Sequence, residues 1–288
     1  MNVTSIEISN PEKKIFTRYT KKNFVDYHET IASFMLPHIE KRPLTLYRFP
    51  DGAGTQGFYQ KNMSDYFPHW IDHTVIRQKE GAVDYVICSS KQSLVYIASQ
   101  VAELHPWTSK IGTLNYPDKM IFDLDPSSKN LDPLKKVARK LGKLLKDVGL
   151  QPYLMTTGKK GYHITAPVQP EQKNKAVREF ALKIATVLEQ DDPETVTTEL
   201  FKDKRKKRVF IDVNRNSPHQ TSIAPYSVRA VKKATVALPI KWSELGTVNP
   251  GDYDIGRTLK RMQKKQDPWK DFREKSESVQ AVIGRLKQ

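Results

Sequence analysis

The sequence predicts a mixed fold, α/β (α+β), because segments with helical periodicity alternate with short apolar strands along its 288 residues. No internal repeat or low-complexity tract interrupts this alternation. A chain of this length can bury roughly 70–75% of the surface that its unfolded form exposes. That is enough for one large domain or for two closely packed ones.

Four segments carry apolar residues at helical spacing. The first spans residues 22–35, and the second follows the Ser89-Ser90 pair, whose hydroxyls suit an N-cap. The third begins at Asp132-Pro133 and ends at Gly149, and the fourth spans about 171–189. The predicted core residues of the last two helices are Leu134, Val137, Leu141, Leu144, Leu145, Val148, Val177, Phe180, Ile184, Val187 and Leu188.

Four short strands are predicted at 120–124, 152–156, 162–167 and 209–213. Each is rich in β-branched or aromatic residues and is bounded by Gly, Pro or Asp turns. The most basic run of the chain, residues 202–208, directly precedes the last of these strands, and we interpret it as a mobile loop that leads into the sheet.

The balance of charge is the most informative feature of the composition. Lys and Arg number 48 against 32 Asp and Glu, which gives a net charge of +16. A polyanionic partner such as nucleic acid explains this excess, because each phosphate that a cationic side chain neutralises releases condensed counterions. A solvated lysine-rich surface is the alternative.

The remaining composition indicates a cytosolic site of action. The mean hydropathy is −0.60, and no apolar run approaches the ~20 residues that a membrane span needs. The N-terminal segment lacks the apolar region of a secretory signal. Cys88 is the only cysteine, so we expect neither an internal disulfide nor a thiolate metal cluster.

Two carboxylates occupy alternate positions at the end of one predicted strand. In Ile121-Phe122-Asp123-Leu124-Asp125-Pro126, the period of two places Asp123 and Asp125 on the same face. Oxygen ligands on one face can converge on a hard cation. The alternative is that both aspartates face solvent on a half-exposed sheet. The same pattern also occurs in glycosyltransferases and in dehalogenase-type phosphatases, although Pro126-Ser127 does not fit the latter.

A basic turn flanked by glycines follows the next strand, in Thr156-Thr157-Gly158-Lys159-Lys160-Gly161-Tyr162-His163. The glycines allow backbone N–H groups to turn toward an anion, and Thr157, Lys160 and His163 can add donors. The alternative is an ordinary basic hairpin turn with an incidental histidine. The spacing excludes a Walker A motif.

A third carboxylate, Asp212, lies in an otherwise apolar strand, where burial is costly unless the group is paired or binds a metal. Three carboxylates, a phosphate-binding turn and a basic surface together indicate phosphoryl transfer with two metal ions about 3.5–4 Å apart.

The motifs around these residues resemble the polymerase domain of bacterial ligase D, a member of the archaeo-eukaryotic primase superfamily that acts in non-homologous end joining. The motifs that follow one another in the same order are Phe122-Asp123-Leu124-Asp125-Pro126, Thr156 to His163, Phe210-Ile211-Asp212-Val213-Asn214 and Ala224-Pro225-Tyr226-Ser227-Val228-Arg229. Four further segments also resemble segments of this family in the expected order. They are Asn10-Pro11-Glu12-Lys13, Arg42-Pro43-Leu44-Thr45, Gly57-Phe58-Tyr59-Gln60-Lys61-Asn62 and Glu103-Leu104-His105-Pro106-Trp107. The resemblance covers about residues 6–245.

The resemblance implies roles for the matching residues. Asp123, Asp125 and Asp212 would be catalytic and hold the metals. The residues expected to bind the incoming nucleotide or to order the metal site are His105, Thr157, Lys160, His163, Arg208 and Arg229. The residues expected to bind DNA are Asn10, Lys13, Lys21, Phe58, Tyr59 and Lys61, with the first three near a downstream 5′-phosphate. The family usually has Ser where Thr157 stands, which keeps the hydroxyl.

The resemblance also implies an architecture: an archaeo-eukaryotic primase-type core with an RRM-like antiparallel sheet and an N-terminal α/β module. We expect one primase-polymerase domain over 1–288, divided into the N-terminal module (1–115), the catalytic module (116–239) and a C-terminal helical extension (240–288). No segment resembles the nucleotidyl-acceptor motif of an ATP-dependent ligase.

The implied reaction is template-directed addition of an NTP or dNTP to a 3′-OH, with Mn²⁺ or Mg²⁺ in a two-metal site. The implied partners are DNA ends with a 5′-phosphate, together with an ATP-dependent DNA ligase and Ku that act in trans or are fused to the domain. The implied location is the cytoplasm, at the nucleoid, and no association with a membrane is expected. A metal-dependent nuclease and a non-catalytic DNA end-bridging module are the alternatives. A nuclease does not need the glycine-flanked basic turn, which suits a triphosphate. A bridging module does not explain why Asp123 and Asp125 share one strand face.

Overall fold

The computed structural model describes residues 6–78, 81–264 and 266–285. These residues form two compact units. Unit 1 takes its residues from Met1–Trp107, Thr221–Ala237 and Tyr253–Lys265, and unit 2 takes its residues from Thr108–Gln220, Leu238–Asp252 and Gln266–Gln288.

These units divide the chain differently from the predicted modules at 1–115, 116–239 and 240–288. The reason is that a late segment returns to unit 1, where Ala224 N donates to Leu104 O at 2.9 Å. Local patterns cannot show such a return, and the domain division stays a prediction. The first five and last three residues of the predicted 1–288 domain lie outside the described residues.

Unit 1 contains a five-stranded antiparallel sheet and three helices. In chain order its elements are α1 (Lys21–Ile39), β1 (Pro43–Arg48), β2 (Phe58–Gln60), β3 (His73–Gln78), β4 (Gly81–Ile87), α2 (Lys91–Ser99), β5 (Ala102–Pro106) and, after unit 2 has intervened, α5 (Ile255–Lys264). Strand β1 pairs with β2, β4 and β5, and β3 pairs with β4. Helix α1 packs against α2 and α5, and α2 packs against β5.

Unit 2 contains the sheet that carries the three aspartates. In chain order its elements are β6 (Lys119–Asp125), α3 (Asp132–Asp147), β7 (Tyr153–Thr156), β8 (Tyr162–Pro167), α4 (Asn174–Asp191), β9 (Val196–Thr197), β10 (Val209–Asp212), β11 (Pro239–Ile240) and α6 (Val279–Arg285). The strand order is β11-β7-β8-β6-β10-β9. Its centre, β6-α3-β7-β8-α4-β10, is the βαββαβ arrangement of RRM-like folds, so the predicted fold class is confirmed. The whole sheet is mixed, because β9 pairs with β10 in parallel.

The helices of unit 2 follow the predicted pattern, with small differences. Helices α3 and α4 pack against each other and against β6. Helix α4 begins at Asn174, three residues later than predicted. Val187 is 52% exposed because it lies at the edge of the apolar stripe, and the same reason leaves Leu144 half-buried. Val148 is half-buried because it is the C-cap of α3.

The basic run forms a short 3-10 helix, Lys202–Lys204, with no buried residue. Within the ranges 6–78, 81–264 and 266–285, no helix combines the length and the apolar character that crossing a bilayer requires.

Candidate active site

Four ionisable side chains meet on one face of the unit 2 sheet. Along β6 the alternate residues Met120, Phe122 and Leu124 are completely buried, which leaves Asp123 and Asp125 on the other face. The antiparallel neighbours place Asp212 of β10 and His163 of β8 directly opposite Asp123. Three adjacent strands therefore bring together the three predicted carboxylates and the predicted histidine.

Asp123 has two basic side chains as partners. Its Oδ1 lies 3.2 Å from His163 Nε2, and its Oδ2 lies 3.4 Å from Arg215 Nε. Burial raises the pKa of this carboxyl, but the charges and hydrogen bonds of His163 and Arg215 outweigh burial and lower the pKa below its usual value. Asp123 is thus fixed as a carboxylate.

Asp125 has the opposite electrostatic setting. Burial and then the charge of Asp123 raise its pKa to about 6, with Asp212 adding to the rise. His163 and Arg215 lower the pKa only in part. Burial is thus the main reason that the pKa of Asp125 stays above its usual value.

Arg215 is a residue of the site that the sequence analysis missed. It lies in a 3-10 turn, Asn214–Asn216, directly after β10, and its Nε is 3.8 Å from Asp212 Oδ2. Burial lowers the pKa of its guanidinium, but Asp123 and Asp212 more than reverse this and raise the pKa. The guanidinium thus bridges two of the three carboxylates. The only sequence signal is its position three residues after Asp212.

The turn that holds Arg215 is anchored to β6. The buried Asn216 side chain donates from Nδ2 to Ile121 O at 2.7 Å and accepts from Ile121 N at 2.8 Å. Asn214 N donates to Asp212 Oδ1 at 2.8 Å, which fixes the rotamer of that carboxylate. The Asn216 side chain thus holds the turn that carries Arg215, and the Asn214 backbone holds Asp212.

The β7–β8 turn closes on itself through Thr157. The Thr157 hydroxyl donates to Gly161 O at 3.0 Å and accepts from Gly161 N at 3.1 Å. Gly158 has a φ of +71°, which favours glycine. A Cβ at Gly161 would overlap Leu124 O and lie 3.5 Å from Asp125 Oδ1, so only glycine lets the turn approach β6 this closely. Thr157 therefore shapes the turn beside Asp125.

Lys160 belongs to this turn, and Arg208 directly precedes β10. Exposed Lys160 lines a cavity of about 460 Å³ together with Ser127, Ser128, Lys129, Lys159, Asn249 and Gly251. Arg208 instead points to the basic run, where Nη2 donates to Lys204 O at 3.0 Å and Nε donates to Arg205 O at 3.2 Å. The structure thus places Lys160 at an open basic cavity and holds Arg208 by backbone carbonyls.

In unit 1, a buried carboxylate joins His105 and Arg229. Glu103 Oε2 lies 3.0 Å from His105 Nε2 and 3.3 Å from Arg229 Nη2. Its Oε1 accepts from Ala230 N at 2.6 Å. His105 and Arg229 are predicted site residues, whereas no sequence pattern predicts a role for Glu103.

The N-terminal lysines of unit 1 form a basic cluster. Lys21 N donates to Lys13 O at 2.8 Å, and Lys13 N donates to Asn10 O at 3.1 Å, so the predicted Asn10, Lys13 and Lys21 are neighbours. Burial, followed by the charges of Lys13 and Arg48, lowers the pKa of Lys21. Lys13 Nζ is 3.2 Å from Asp51, and Lys21 Nζ donates to Ser9 Oγ at 2.9 Å. The crowding of three cations would be relieved by an anion.

The two predicted aromatic residues of β2 are exposed, Phe58 by 50% and Tyr59 by 65%. The Arg48 guanidinium lies 5.6 Å from the Phe58 ring centre. The Tyr59 ring centre lies 6.0 Å from that of His105. Core packing is thus excluded for both rings, and Lys61 is also exposed beside them.

Comparison with known proteins identifies the family of the chain. The profile of the family described as LigD, primase-polymerase domain, matches residues 20–269. The chain belongs to this family. The polymerase domain of Mycobacterium tuberculosis ligase D, solved in complex with DNA, has 31% sequence identity and a TM-score of 0.87, with 94% of this chain and 99% of that chain covered.

Full-length LigD proteins extend beyond the matching region. The multifunctional non-homologous end joining protein LigD of Mycolicibacterium smegmatis is 32% identical over 246 residues, which are 83% of this chain and 32% of the relative. The bifunctional LigD of Bacillus subtilis is 29% identical over 291 residues, 98% of this chain and 47% of the relative. The chain therefore spans a third to a half of these relatives, and the predicted resemblance is confirmed.

The carboxylate cluster of this LigD-type domain has the donor chemistry for a divalent cation. Across residues 6–78, 81–264 and 266–285, no three His, Cys, Asp or Glu side chains converge as a ready-made metal site. The oxygen donors nevertheless fit a hard cation, because Asp123, Asp125 and Asp212 lie on one face of the sheet and such cations prefer carboxylate oxygens. The Arg215 guanidinium bridges Asp123 and Asp212, the two carboxylates nearest to it.

Proposed function

We propose that this LigD-type primase-polymerase domain adds nucleotides to 3′-OH ends at gaps and breaks in DNA, directed by a template, with release of pyrophosphate. The observation that carries the proposal is the set of three carboxylates and His163 on one sheet face, beside a glycine-flanked basic turn. The M. tuberculosis polymerase domain of similar fold was solved with DNA, and a charge of +16 suits the same polyanion.

Asp123, Asp125 and Asp212 would hold Mn²⁺ or Mg²⁺ in a two-metal site. When bound, the metals would lower the pKa of the 3′-OH and neutralise charge on the phosphates. Within the chain, His163 keeps Asp123 oriented through the 3.2 Å contact between Nε2 and Oδ1. The remaining residues that we propose to bind the incoming NTP or dNTP or to shape its site are His105, Thr157, Lys160, Arg208 and Arg229.

The exposed rings of Phe58 and Tyr59 would stack on the template base, because stacking tolerates every base, and Lys61 would contact the backbone. The cluster of Asn10, Lys13 and Lys21 would bind the 5′-phosphate of the downstream strand. A phosphate monoester carries nearly two negative charges and suits two ammonium groups.

The test of the reaction is extension of a primer at a one-nucleotide gap with a 5′-phosphate, with Mn²⁺ and with NTP or dNTP. Asp123→Ala should abolish extension while DNA affinity stays within about twofold, because the substitution removes a metal ligand but no cation. Asp147→Ala, which changes an exposed carboxylate of α3, is the matched control and should extend normally. Primer shortening without nucleotide would indicate a nuclease instead, and end binding without either reaction would indicate a bridging module.

The test of 5′-phosphate recognition compares two pairs of lysines. Lys13→Ala combined with Lys21→Ala should weaken binding to a 5′-phosphorylated gap by about tenfold or more, since charge-assisted contacts contribute about 1.5–3 kcal/mol. Binding to the same gap with a 5′-OH should change far less. The control pair Lys14→Ala and Lys22→Ala removes the same charge from neighbouring positions, and Lys22 is engaged with Asp26. Equal losses for both ends, at one fixed salt concentration, would reduce Lys13 and Lys21 to a general basic surface.

For the whole pathway, an ATP-dependent DNA ligase and Ku would act on the same ends, in trans or fused to this domain, in the cytoplasm at the nucleoid. The test of this association is co-purification of the chain with Ku in the presence and in the absence of DNA ends. Recovery of the chain that is the same without Ku or without DNA ends would contradict the association.

A further inference from the structure

We propose that Glu103, a buried carboxylate of β5, positions His105 and Arg229 toward the incoming nucleoside triphosphate. This inference rests on the proposed function, because it assigns the supporting residue of the nucleotide-binding groups in unit 1. Glu103 would be a positioning residue that acts through His105 and Arg229 without touching the nucleotide.

The contacts of Glu103 join two separate parts of the chain. Its side chain is 1% exposed. One carboxylate oxygen, Oε2, faces both His105 Nε2 at 3.0 Å and Arg229 Nη2 at 3.3 Å. The other oxygen, Oε1, accepts from Ala230 N at 2.6 Å. A single carboxylate thus ties the segment that carries Arg229 to the strand that carries His105.

The position of Glu103 in β5 follows from strand geometry. Glu103 and His105 are two residues apart in β5, so their side chains leave the same face. On the neighbouring strand β1, Tyr47 lies opposite Glu103 and Thr45 lies opposite His105. Tyr47 also lies opposite Tyr59 of β2. This polar face therefore also carries one of the two exposed rings proposed to meet the template base.

The carboxylate controls what its partners can present. A proton on His105 Nε2 is directed at Glu103, which fixes the ring orientation and the proton position. A guanidinium has its N–H donors in a rigid plane, so an ion pair through Nη2 fixes the directions of the others. Burying the carboxylate is tolerated only because these donors satisfy it. The negative charge of Glu103 therefore serves to orient an imidazole and a guanidinium that a triphosphate would meet.

Two substitutions separate charge from size. Glu103→Gln keeps the volume and removes the charge, whereas Glu103→Asp keeps the charge and withdraws it by one methylene. Glu29→Gln is the control, since Glu29 is an exposed carboxylate of the same unit, paired only at the surface with Lys91. The measurements are KM for ATP and kcat in gapped-primer extension with Mn²⁺, melting temperature, and the ¹⁵N shifts of the His105 ring.

Glu103→Gln should raise KM for ATP about tenfold or more, with a smaller change in kcat, and should shift the ¹⁵N signals of the His105 ring. Glu103→Asp should fall between Glu103→Gln and the wild type, and Glu29→Gln should match the wild type. An unchanged KM in folded Glu103→Gln would overturn the proposal, as would a His105 ring signal that does not respond. If Glu103→Gln does not fold, a wild-type KM in Glu103→Asp overturns it instead. A wild-type chain that adds no nucleotide and binds no ATP would refute the proposed function itself, which is a different result.

Discussion

Replacing Asp125 by asparagine is expected to stabilise the metal-free protein above pH 6. The pKa of Asp125 is raised from 3.8 to about 6 by burial and by the charge of Asp123. Because the native pKa exceeds the unfolded one, the unfolded chain loses this proton first, and stability falls as the pH rises from about 4 to about 6. A difference of about 2 pKa units corresponds to about 3 kcal/mol. The asparagine side chain would keep the volume of the aspartate and remove that penalty.

The assay is urea denaturation in EDTA at pH 8 and at pH 4. At pH 8 Asp125→Asn should raise the free energy of unfolding by up to about 3 kcal/mol, and at pH 4 the gain should shrink to less than about 1 kcal/mol. The control Asp147→Asn alters an exposed carboxylate at the end of α3. It should stay within about 0.5 kcal/mol of the wild type at both pH values.

Two results would refute this reasoning. A less stable Asp125→Asn protein at pH 8 would mean that the ionised carboxylate makes a favourable contact that outweighs burial and repulsion. An equal gain at pH 8 and at pH 4 would mean that the effect comes from packing and owes nothing to charge. With Mn²⁺ added, the wild type should gain more stability than the variant, since a cation supplies the missing charge balance.

Two further substitutions test the surroundings of the carboxylates. Arg215→Ala should lower the melting temperature in EDTA, because it leaves the buried Asp123 and the half-buried Asp212 without their shared guanidinium. Mn²⁺ should restore much of the loss, and equal losses with and without Mn²⁺ would contradict this. Gly161→Ala should destabilise the protein by about 1–3 kcal/mol and reduce primer extension, because its Cβ would overlap the Leu124 carbonyl. The control Gly246→Ala, whose Cβ would meet only a side-chain nitrogen at 3.6 Å, should be nearly neutral, and equal effects of the two substitutions would remove the steric argument.

The positions of the carboxylates could be predicted because they depend on local geometry. A strand has a period of two, so a single residue pattern places Asp123 and Asp125 on one face and the apolar residues between them on the other. The predicted strand 120–124 extends by only one residue at each end. The Asp132-Pro133 start and the Gly149 end of α3 are likewise local signals that the structure confirms.

The partners of those carboxylates could not be predicted, because they depend on where separate segments meet. Arg215 reaches Asp123 only because the buried Asn216 amide fastens its turn to Ile121, some 95 residues away in sequence. Glu103 resembles any strand carboxylate until the segment that carries Arg229 is placed beside it. Thr157 shows the reverse case, since a hydroxyl that the turn pattern offers to a phosphate is used to close the turn.

The charge balance of the cluster links its stability to its proposed chemistry. Three carboxylates share one face with His163 and Arg215, and Arg208, which precedes β10, is bound to backbone carbonyls of the basic run. Burial and then the charge of Asp123 raise the pKa of Asp125 to about 6. Selection for stability alone would replace this group, because a half-buried carboxylate beside a second carboxylate destabilises the fold. Retaining it is expected where a cation joins the cluster during the reaction. Under the proposed function, the same residue that weakens the metal-free protein would therefore favour metal binding.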